Sequence, residues 1–590
     1  MPWKRARTLV VALIAASALA LGVGASAHVG SGSGPPTAIG TGGAAATVER
    51  IATQAAMDTL RAGGNAVDAA VAAAAVLGVT EPFSCGIGGG GFMVLYDASD
   101  GEVTTIDHRE TAPAAMTPTS FFENGSPLPF NDARYSGLSV GVPGTVLGWA
   151  NALERYGTMS LAEVLAAGIH VADHGFVVDQ VFHDQIQQNL DFFDDIPATA
   201  ALFLDSDGTP RDVGTVFRNP DLAATYRRIA HLGPKGFYRG AVAARLVETV
   251  RNPPVAPDAN HVWRPGVMTM RDLHRYTAPE REPTHVDYRG LDVYGMGPPS
   301  SGGSTVGEAL NILEGYQLSG MAREQALHYF LESSRYSFAD RGAYLADSDF
   351  FDVPLRGLLS EEFAATRRAL ITETAATSPV APGDPYPFNG GGSAAGQASL
   401  TSTIPGSTTH LTVSDRSGNV VSYTFTIEST GGAGLVVPGF GFLLNNELTD
   451  FNFDSTTHPN RVEGGKRPRS SMSPTIVLDD GEPFLAVGSP GGSMIITTVL
   501  QILLDRIDLG LTLPQAIADP RASQRNTAAT AAEPAFRSSP EAAALMARGH
   551  TFSTTAEIGA ATGIEFLDGG VVAAAEPTRR GGGSAMVEAP

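Results

Sequence analysis

The fold is decided by Ser407-Thr408-Thr409-His410-Leu411-Thr412-Val413-Ser414-Asp415-Arg416-Ser417-Gly418-Asn419-Val420-Val421-Ser422-Tyr423-Thr424-Phe425-Thr426-Ile427. Residues 410–414 and 420–427 are β-type runs, and Asp415 to Asn419 between them carry a turn signal, so a hairpin is predicted. The stretch before it, residues 372–407, is dominated by Pro, Gly, Ser, Thr and Ala. It is expected to be a mobile surface segment. Thr408 stands where the two meet. A threonine hydroxyl is a poor nucleophile until a base takes its proton, and an N-terminal α-amino group, with a pKa of about 8, can be that base. Thr408 has such an amine only if the bond from Ser407 is cut. Taken alone, it is equally an ordinary strand residue.

Working outward, residues 28–46 form a Gly, Ser, Ala and Pro lead-in expected to be flexible. Ile51, Ala55 and Leu60 share one helical face, and Gly63-Gly64 stops that helix. Asn65 is placed to cap a second, Ala-rich helix to about residue 77. Gly88 to Gly91 then form a turn, followed by an apolar core strand over residues 92–96. The middle of the chain is mostly helical, with candidates at 161–174, 222–229, 305–313 and 326–345. After the hairpin, strands are expected at 475–478 and 484–487. Gly488-Ser489-Pro490-Gly491-Gly492 and an apolar helix from Ile495 follow. Strands at both ends with helices between them imply an α+β fold of two sheets covered by helices. There is no internal repeat.

The 590 residues include 39 Lys+Arg against 61 Asp+Glu, a formal net charge of -22. Binding a polyanion needs a basic face, so nucleic acid and anionic membrane surfaces are excluded as partners. Hydrophobic residues at 43% and charged residues at 17% support a large buried core. A single cysteine, Cys85, excludes an internal disulfide framework and Cys-rich metal sites. Lys4, Arg5 and Arg7, the apolar run after them and Ala25-Ser26-Ala27 form a secretory signal over residues 1–27 with an A-x-A cleavage site. No later segment offers about 20 uninterrupted apolar residues, so no membrane span is expected in the mature chain.

Three familiar patterns fail. The Gly88 to Gly91 run lacks the Lys and Ser/Thr of a phosphate loop. His170 and His174 stand four apart, but no Glu follows His170 as a zinc-protease helix requires. Gly137-Leu138-Ser139-Val140-Gly141 matches G-x-S-x-G, yet the residues before it are polar and Pro143 follows, which suits a loop better than a nucleophile elbow.

A set of separate blocks resembles the γ-glutamyltransferase family. They are Thr408-Thr409-His410-Leu411-Thr412-Val413, Leu444-Asn445-Asn446-Glu447 to Asp450-Phe451, Lys466-Arg467-Pro468 with Ser470-Ser471-Met472-Ser473-Pro474-Thr475, and Gly488-Ser489-Pro490-Gly491-Gly492-Ser493. Gly63-Gly64-Asn65-Ala66-Val67-Asp68, Arg109-Glu110-Thr111-Ala112-Pro113 and Pro298-Pro299-Ser300-Ser301-Gly302-Gly303 are similar to it as well. The likeness covers residues 45–576 in the family's order. It implies an N-terminal nucleophile hydrolase with a four-layer αββα sandwich. One precursor would cut itself into a large subunit, 28–407, and a small one, 408–590, which stay together as a heterodimer.

Carried onto this chain, the resemblance makes Thr408 the nucleophile both for cleavage at Ser407-Thr408 and for turnover. Thr426 would hydrogen-bond the Thr408 amine, and Gly491 and Gly492 would supply backbone donors to the oxyanion. Arg109 with Ser470 and Ser471 would hold a substrate α-carboxylate, and Glu447 with Asp450 its α-ammonium. Glu428 stands where some members carry Asn and others Glu, and is assigned to the ammonium too. The implied substrates are glutathione and related γ-glutamyl amides, with water, amino acids or peptides as acceptors and no metal or organic cofactor. Residues 450–470 are shorter than the lid loop of lidded members, implying an open site. The rival readings are a cephalosporin or glutaryl amide acylase of the same fold, a non-catalytic binding protein, and an esterase using Ser139.

Overall fold

The computed structural model describes residues 34–391 and 407–588. The expected signal segment 1–27 and residues 392–406 of the Pro/Gly/Ser-rich stretch lie outside these. Two antiparallel seven-stranded sheets are stacked between helical layers. The predicted hairpin is the middle of one of them. Thr409–Ser414 pairs with Val420–Thr426, which pairs with Gly90–Asp97 and then Glu102–Asp107 and Glu280–Arg281. On its other edge Thr409–Ser414 pairs with Ala44–Thr47, and that strand with Ser584–Val587. The second sheet runs Thr37–Gly40, Gly570–Ala575, Thr562–Leu567, Glu482–Gly488, Thr475–Asp479, Leu291–Gly295, Thr284–Tyr288.

Alternation along the strands separates the layers. Leu411, Val413, Met93 and Leu95 face the helices Arg50–Arg61 and Ala66–Thr80. Phe92, Val94 and Tyr96 face the second sheet, whose far side is covered by Gly302–Glu314, Arg323–Tyr344 and Met494–Ile507. This is the expected αββα sandwich. The Ala-rich helix is fully buried, and Asn65 with Asp68 forms a capping box at its start.

Three expectations need correction. The lead-in is not flexible throughout, because Thr37–Gly40 and Ala44–Thr47 are strands. Ala44, Ala45 and Ala46 are small enough to lie fully buried where the two sheets and the first helix meet. The helical middle contains the hairpin Thr284–Tyr288 and Leu291–Gly295, turned by Arg289 and Gly290 at positive φ. The stretch from 372 to 391 is anchored rather than loose: Tyr386 is buried, and Asn526 both accepts from the Val380 N–H and donates to its carbonyl.

Between the sheets His410 packs on Gly488. A Cβ at Gly488 would fall 2.3 Å from the imidazole Cε1. The ring has no room to yield, since its nitrogens pair with Thr424 Oγ1 at 2.7 Å and Thr412 Oγ1 at 3.2 Å, and burial lowers its pKa to about 3, keeping it neutral. Gly488→Ala is therefore expected to destabilise the protein by about 1–3 kcal/mol, the range for overpacking a close-packed core. A lowered denaturation midpoint is the measurement, and an unchanged midpoint would contradict this packing.

Candidate active site

Continuing the hairpin register one residue past the Thr409 and Phe425 pair sets Thr408 opposite Thr426. Both are buried. Thr426 Oγ1 donates to the Ser407 carbonyl oxygen at 2.7 Å and receives the Glu428 N–H at 2.8 Å. Thr408 Oγ1 lies 2.5 Å from the Ser407 oxygen and 3.2 Å from Thr426 Oγ1. The Glu428 carbonyl accepts the Ser407 N–H at 2.7 Å, which the left-handed φ of 79° at Glu428 makes possible by turning the chain back. A non-glycine residue there costs roughly 1–2 kcal/mol. Ser84 Oγ meets Ser407 Oγ at 2.8 Å, and Arg580 donates to the Thr408 carbonyl at 2.7 Å. The peptide unit joining Ser407 and Thr408 is thus held on both sides. Its carbonyl is polarised by a hydroxyl, and a second hydroxyl lies against it.

Thr408 opens onto a cavity of about 260 Å³. Thr426, Gly492, Arg109, Glu428, Glu447, Asp450, Ser470 and Ser471 also line it, so the structure brings together nearly all residues singled out from the sequence. Gly491 and Ser407 lie just behind the wall. The Gly491-Gly492 turn has φ of 134° and 56°, the first a backbone that suits only glycine and the second one that favours it, and it feeds into helix Met494–Ile507.

The charges on the wall are unequal in access. One terminal nitrogen of Arg109 pairs with Glu447, and the other pairs with Asp450 at 2.5 Å. The same guanidinium donates to the Pro468 and Arg469 carbonyls at 3.3 Å. Arg109 and Glu447 side chains are 1% exposed, whereas Asp450 is 34% exposed. Arg109 is thus a neutralised anchor, and Asp450 presents a carboxylate edge to the cavity. Burial pushes Glu447 well above the usual carboxylate range and Glu110 behind it to about 8, both against the pull of Arg109. Burial, with Asp450 nearby, pushes Glu428 to about 7, opposed by the Ser429 hydroxyl, Arg134 and the Asn446 amide.

Sequence reasoning missed Arg341 and Arg469 in the cavity wall, and Arg580 and Ser84 behind the peptide unit. Arg580 and Ser84 sit in turns with no distinguishing pattern. Arg341 had a signal: its helix carries Glu332, Arg335, Asp340 and Arg341 on several faces with no single polar side, and all four are buried. Ser139 turns its hydroxyl onto the Arg134 and Ser136 carbonyls at 2.6 and 3.0 Å within a short 3-10 turn, so it is a loop residue and not an elbow. His170 and His174 stack on each other with centroids 4.2 Å apart.

A family model described as Gamma-glutamyltranspeptidase matches residues 52–586. A glutathione hydrolase proenzyme of Bacillus subtilis (strain 168) is 40% identical over 489 residues, covering 82% of this chain and 81% of that one. An Acylase ACY 1 proenzyme of Pseudomonas sp. (strain SE83) is 36% identical over 526 residues, covering 87% and 88%. The crystal structure of a cephalosporin acylase from Bacillus halodurans superposes with a TM-score of 0.81 at 28% identity, covering 95% of this chain and 98% of that one.

The raised Glu428 pKa has a consequence for stability. In the unfolded chain this carboxyl ionises near 4.5, but in the fold it keeps its proton to about 7. Its contribution is full below the first value and is lost as pH rises through the second. Glu428→Gln is expected to remove up to about 3 kcal/mol of the stability decline between pH 4.5 and 7. Denaturation midpoints of wild type and variant across that window test it. Parallel pH curves would count against a protonated Glu428.

Proposed function

We propose that this chain, which belongs to the gamma-glutamyltranspeptidase family, is exported, cuts itself between Ser407 and Thr408, and then cleaves γ-glutamyl amides through Thr408. The observation that carries this reading is the Thr408 hydroxyl, set against the Ser407 carbonyl and open to a cavity of charged groups. In the first event Thr408 Oγ attacks the Ser407 carbonyl carbon. Thr426 stabilises the developing oxyanion, where its hydroxyl already points. The C–N bond breaks, the nitrogen takes the hydroxyl proton, and water opens the ester. The products are a Ser407 carboxylate and a Thr408 with a free amine. Before this step the nitrogen is an amide without basicity, so the uncut chain is inactive.

In turnover the Thr408 amine takes the proton of its own hydroxyl as Oγ attacks the γ-carbonyl carbon. Backbone N–H groups at the Gly491-Gly492 turn face the oxyanion. The C–N bond of the substrate breaks, and the leaving amine departs with the proton from the Thr408 ammonium. Water or the amine of an amino acid or peptide then attacks the acyl ester and restores the hydroxyl. A γ-glutamyl group ends in a carboxylate and an ammonium on one carbon. Asp450, backed by Glu447 and Glu428, suits the ammonium. Arg109, expected from the sequence to fork onto the carboxylate, has both terminal nitrogens paired with Glu447 and Asp450 and stands behind the site, so the Ser470 and Ser471 hydroxyls are the donors that suit the carboxylate. Glutathione fits this description. Residues 1–27 support export. The second reading, a glutaryl or cephalosporin acylase, draws on the likeness to the Bacillus halodurans acylase and the ACY 1 proenzyme. The open carboxylate of Asp450 weighs against it.

Thr408→Ala is expected to remain a single chain on a denaturing gel, because alanine has no hydroxyl to attack Ser407. The wild type should give two fragments, the smaller beginning Thr-Thr-His-Leu. Cleavage that survives in the variant, or begins elsewhere, removes the nucleophile assignment.

Substrate class is tested at Asp450. The Asn variant is nearly isosteric and uncharged, so the preference for a γ-glutamyl over a glutaryl anilide should fall about tenfold or more, the scale of one charge-assisted hydrogen bond. The readout is the ratio of kcat/KM values. A wild type that already prefers the glutaryl compound makes the acylase reading the correct one.

A further inference from the structure

Ser84 lies in the turn that follows helix Ala66–Thr80. The turn is stitched to the chain just beyond strand Val420–Thr426. The Ser84 carbonyl accepts the Ile427 N–H at 3.1 Å, and the Phe83 carbonyl accepts the Gly431 N–H at 2.8 Å. Phe83 itself is buried against Phe182 and Phe203, with ring centroids 4.9 and 4.8 Å away. The Ser84 side chain is therefore mounted on a rigid turn. Its hydroxyl meets the Ser407 hydroxyl at 2.8 Å, and both residues are buried. A carboxyl oxygen of Glu81 also neighbours the Ser84 hydroxyl, but at 3.5 Å, the outer limit of a hydrogen bond, so Ser407 is the main partner.

This hydroxyl pair is not needed to satisfy the backbone. The Ser407 N–H is already taken by the Glu428 carbonyl, and the Ser407 carbonyl oxygen by Thr426. Those bonds secure the peptide units on either side of the Ser407 α-carbon, and both run to one strand end. The hydroxyl bond ties the acyl half of the Ser407–Thr408 bond to a different element. That matters for the geometry of attack. The Thr408 hydroxyl rests against the carbonyl oxygen, 2.5 Å away, and must swing over the carbonyl carbon to react. An acyl carbon free to turn with it loses the approach, and a misplacement of about 1 Å costs on the order of a hundredfold in rate.

We propose that Ser84 is a positioning residue for self-cleavage: through the Ser407 hydroxyl it holds the acyl carbon still while the Thr408 hydroxyl swings onto it. The inference rests on the reading that the chain cuts itself between Ser407 and Thr408. It goes beyond that reading by giving Ser84 a part in the cut and none in turnover, since Ser407 is no longer joined to the nucleophile once the bond is broken.

The experiment labels the full-length chain in a short pulse of cell-free synthesis and follows its conversion into two fragments on denaturing gels. Wild type, Ser84→Ala, Ser407→Ala and the double variant are compared. Each single variant should cut about tenfold more slowly, the scale of one hydrogen bond. The double variant should fall within about twofold of the slower single, because the two hydroxyls act as one unit. Once fully cut, Ser84→Ala should turn over the anilide that wild type takes, γ-glutamyl or glutaryl, with the wild-type kcat and KM. Single variants that cut at the wild-type rate overturn the proposal, and so does a double variant slowed by the product of the two effects. A changed kcat in cut Ser84→Ala overturns it too, by making Ser84 a general support of the strand end. Should Ser84→Ala fail to fold, Ser407→Ala decides: a tenfold delay supports the proposal and a wild-type rate overturns it. A wild type never cut at Ser407-Thr408 removes the self-cleavage reading and the proposal together, an outcome distinct from normal cutting in wild type and variants alike.

Discussion

The cleavage proposed between Ser407 and Thr408 would leave a chain end in the middle of a sheet, and that is the constraint on which this molecule turns. Termini normally lie at the surface, because a charged amine is costly to bury. Thr408 is instead one residue before a central strand, with the pairs of that strand formed on both sides. Ser407 and Thr408 are both nearly inaccessible. An amine at Thr408 could hardly be folded into such a place from a separate small chain. On the proposed cleavage it is made there, after the sheets have closed around an uncharged amide. The carbonyl of Ser407 is accordingly held by Thr426, and its N–H by the left-handed turn at Glu428. Folding energy from the two cores holds the strained backbone and the crowded hydroxyls.

The cavity obeys a related logic. Arg109 and Glu447 are almost completely buried and directly paired, an arrangement that gains little stability over apolar packing but would be costly to break by removing one partner. Its value is positional, because it fixes Asp450 with one edge turned outward. Burial keeps protons on Glu110 and Glu428 into the neutral range, which limits the negative charge gathered around Arg109. The wall therefore holds charges of both signs with most of their repulsion already relieved. A ligand that is itself a zwitterion suits such a wall.

Legibility followed the locality of each signal. The helix from Ala66 was readable because its cap, Asn65 with Asp68, and its small-residue run are adjacent in the chain. The hairpin from Thr409 was readable because its turn is flanked by long β-type runs. By contrast, Thr284–Tyr288 alternates buried and exposed residues over only five positions, too short to stand out among helical neighbours. Ala44–Thr47 is three alanines, a residue depleted in strands, with Thr47 alone carrying a β preference, so its pattern did not stand out. Arg109, Glu447, Asp450, Ser470 and Ser471 were found by resemblance and meet in one cavity. Arg341 was hidden because helical periodicity assigns an arginine to a solvated face, whereas this helix has none over most of its length.

The same fold serves both readings of the chemistry, so the sandwich itself does not discriminate between them. What discriminates is the sign of the charge that meets the distal end of the acyl group. A glutaryl chain brings only a carboxylate, and near Asp450 it would face repulsion. A γ-glutamyl chain brings a carboxylate and an ammonium together. Coulomb energy between unit charges about 4 Å apart is on the order of 4 kcal/mol near a protein surface, so exchanging repulsion for attraction at Asp450 outweighs a typical packing difference between the two acyl chains. On the proposed reading Asp450 selects for the ammonium, and the acyl group that carries one then places its carboxylate toward the Ser470 and Ser471 side of the same wall.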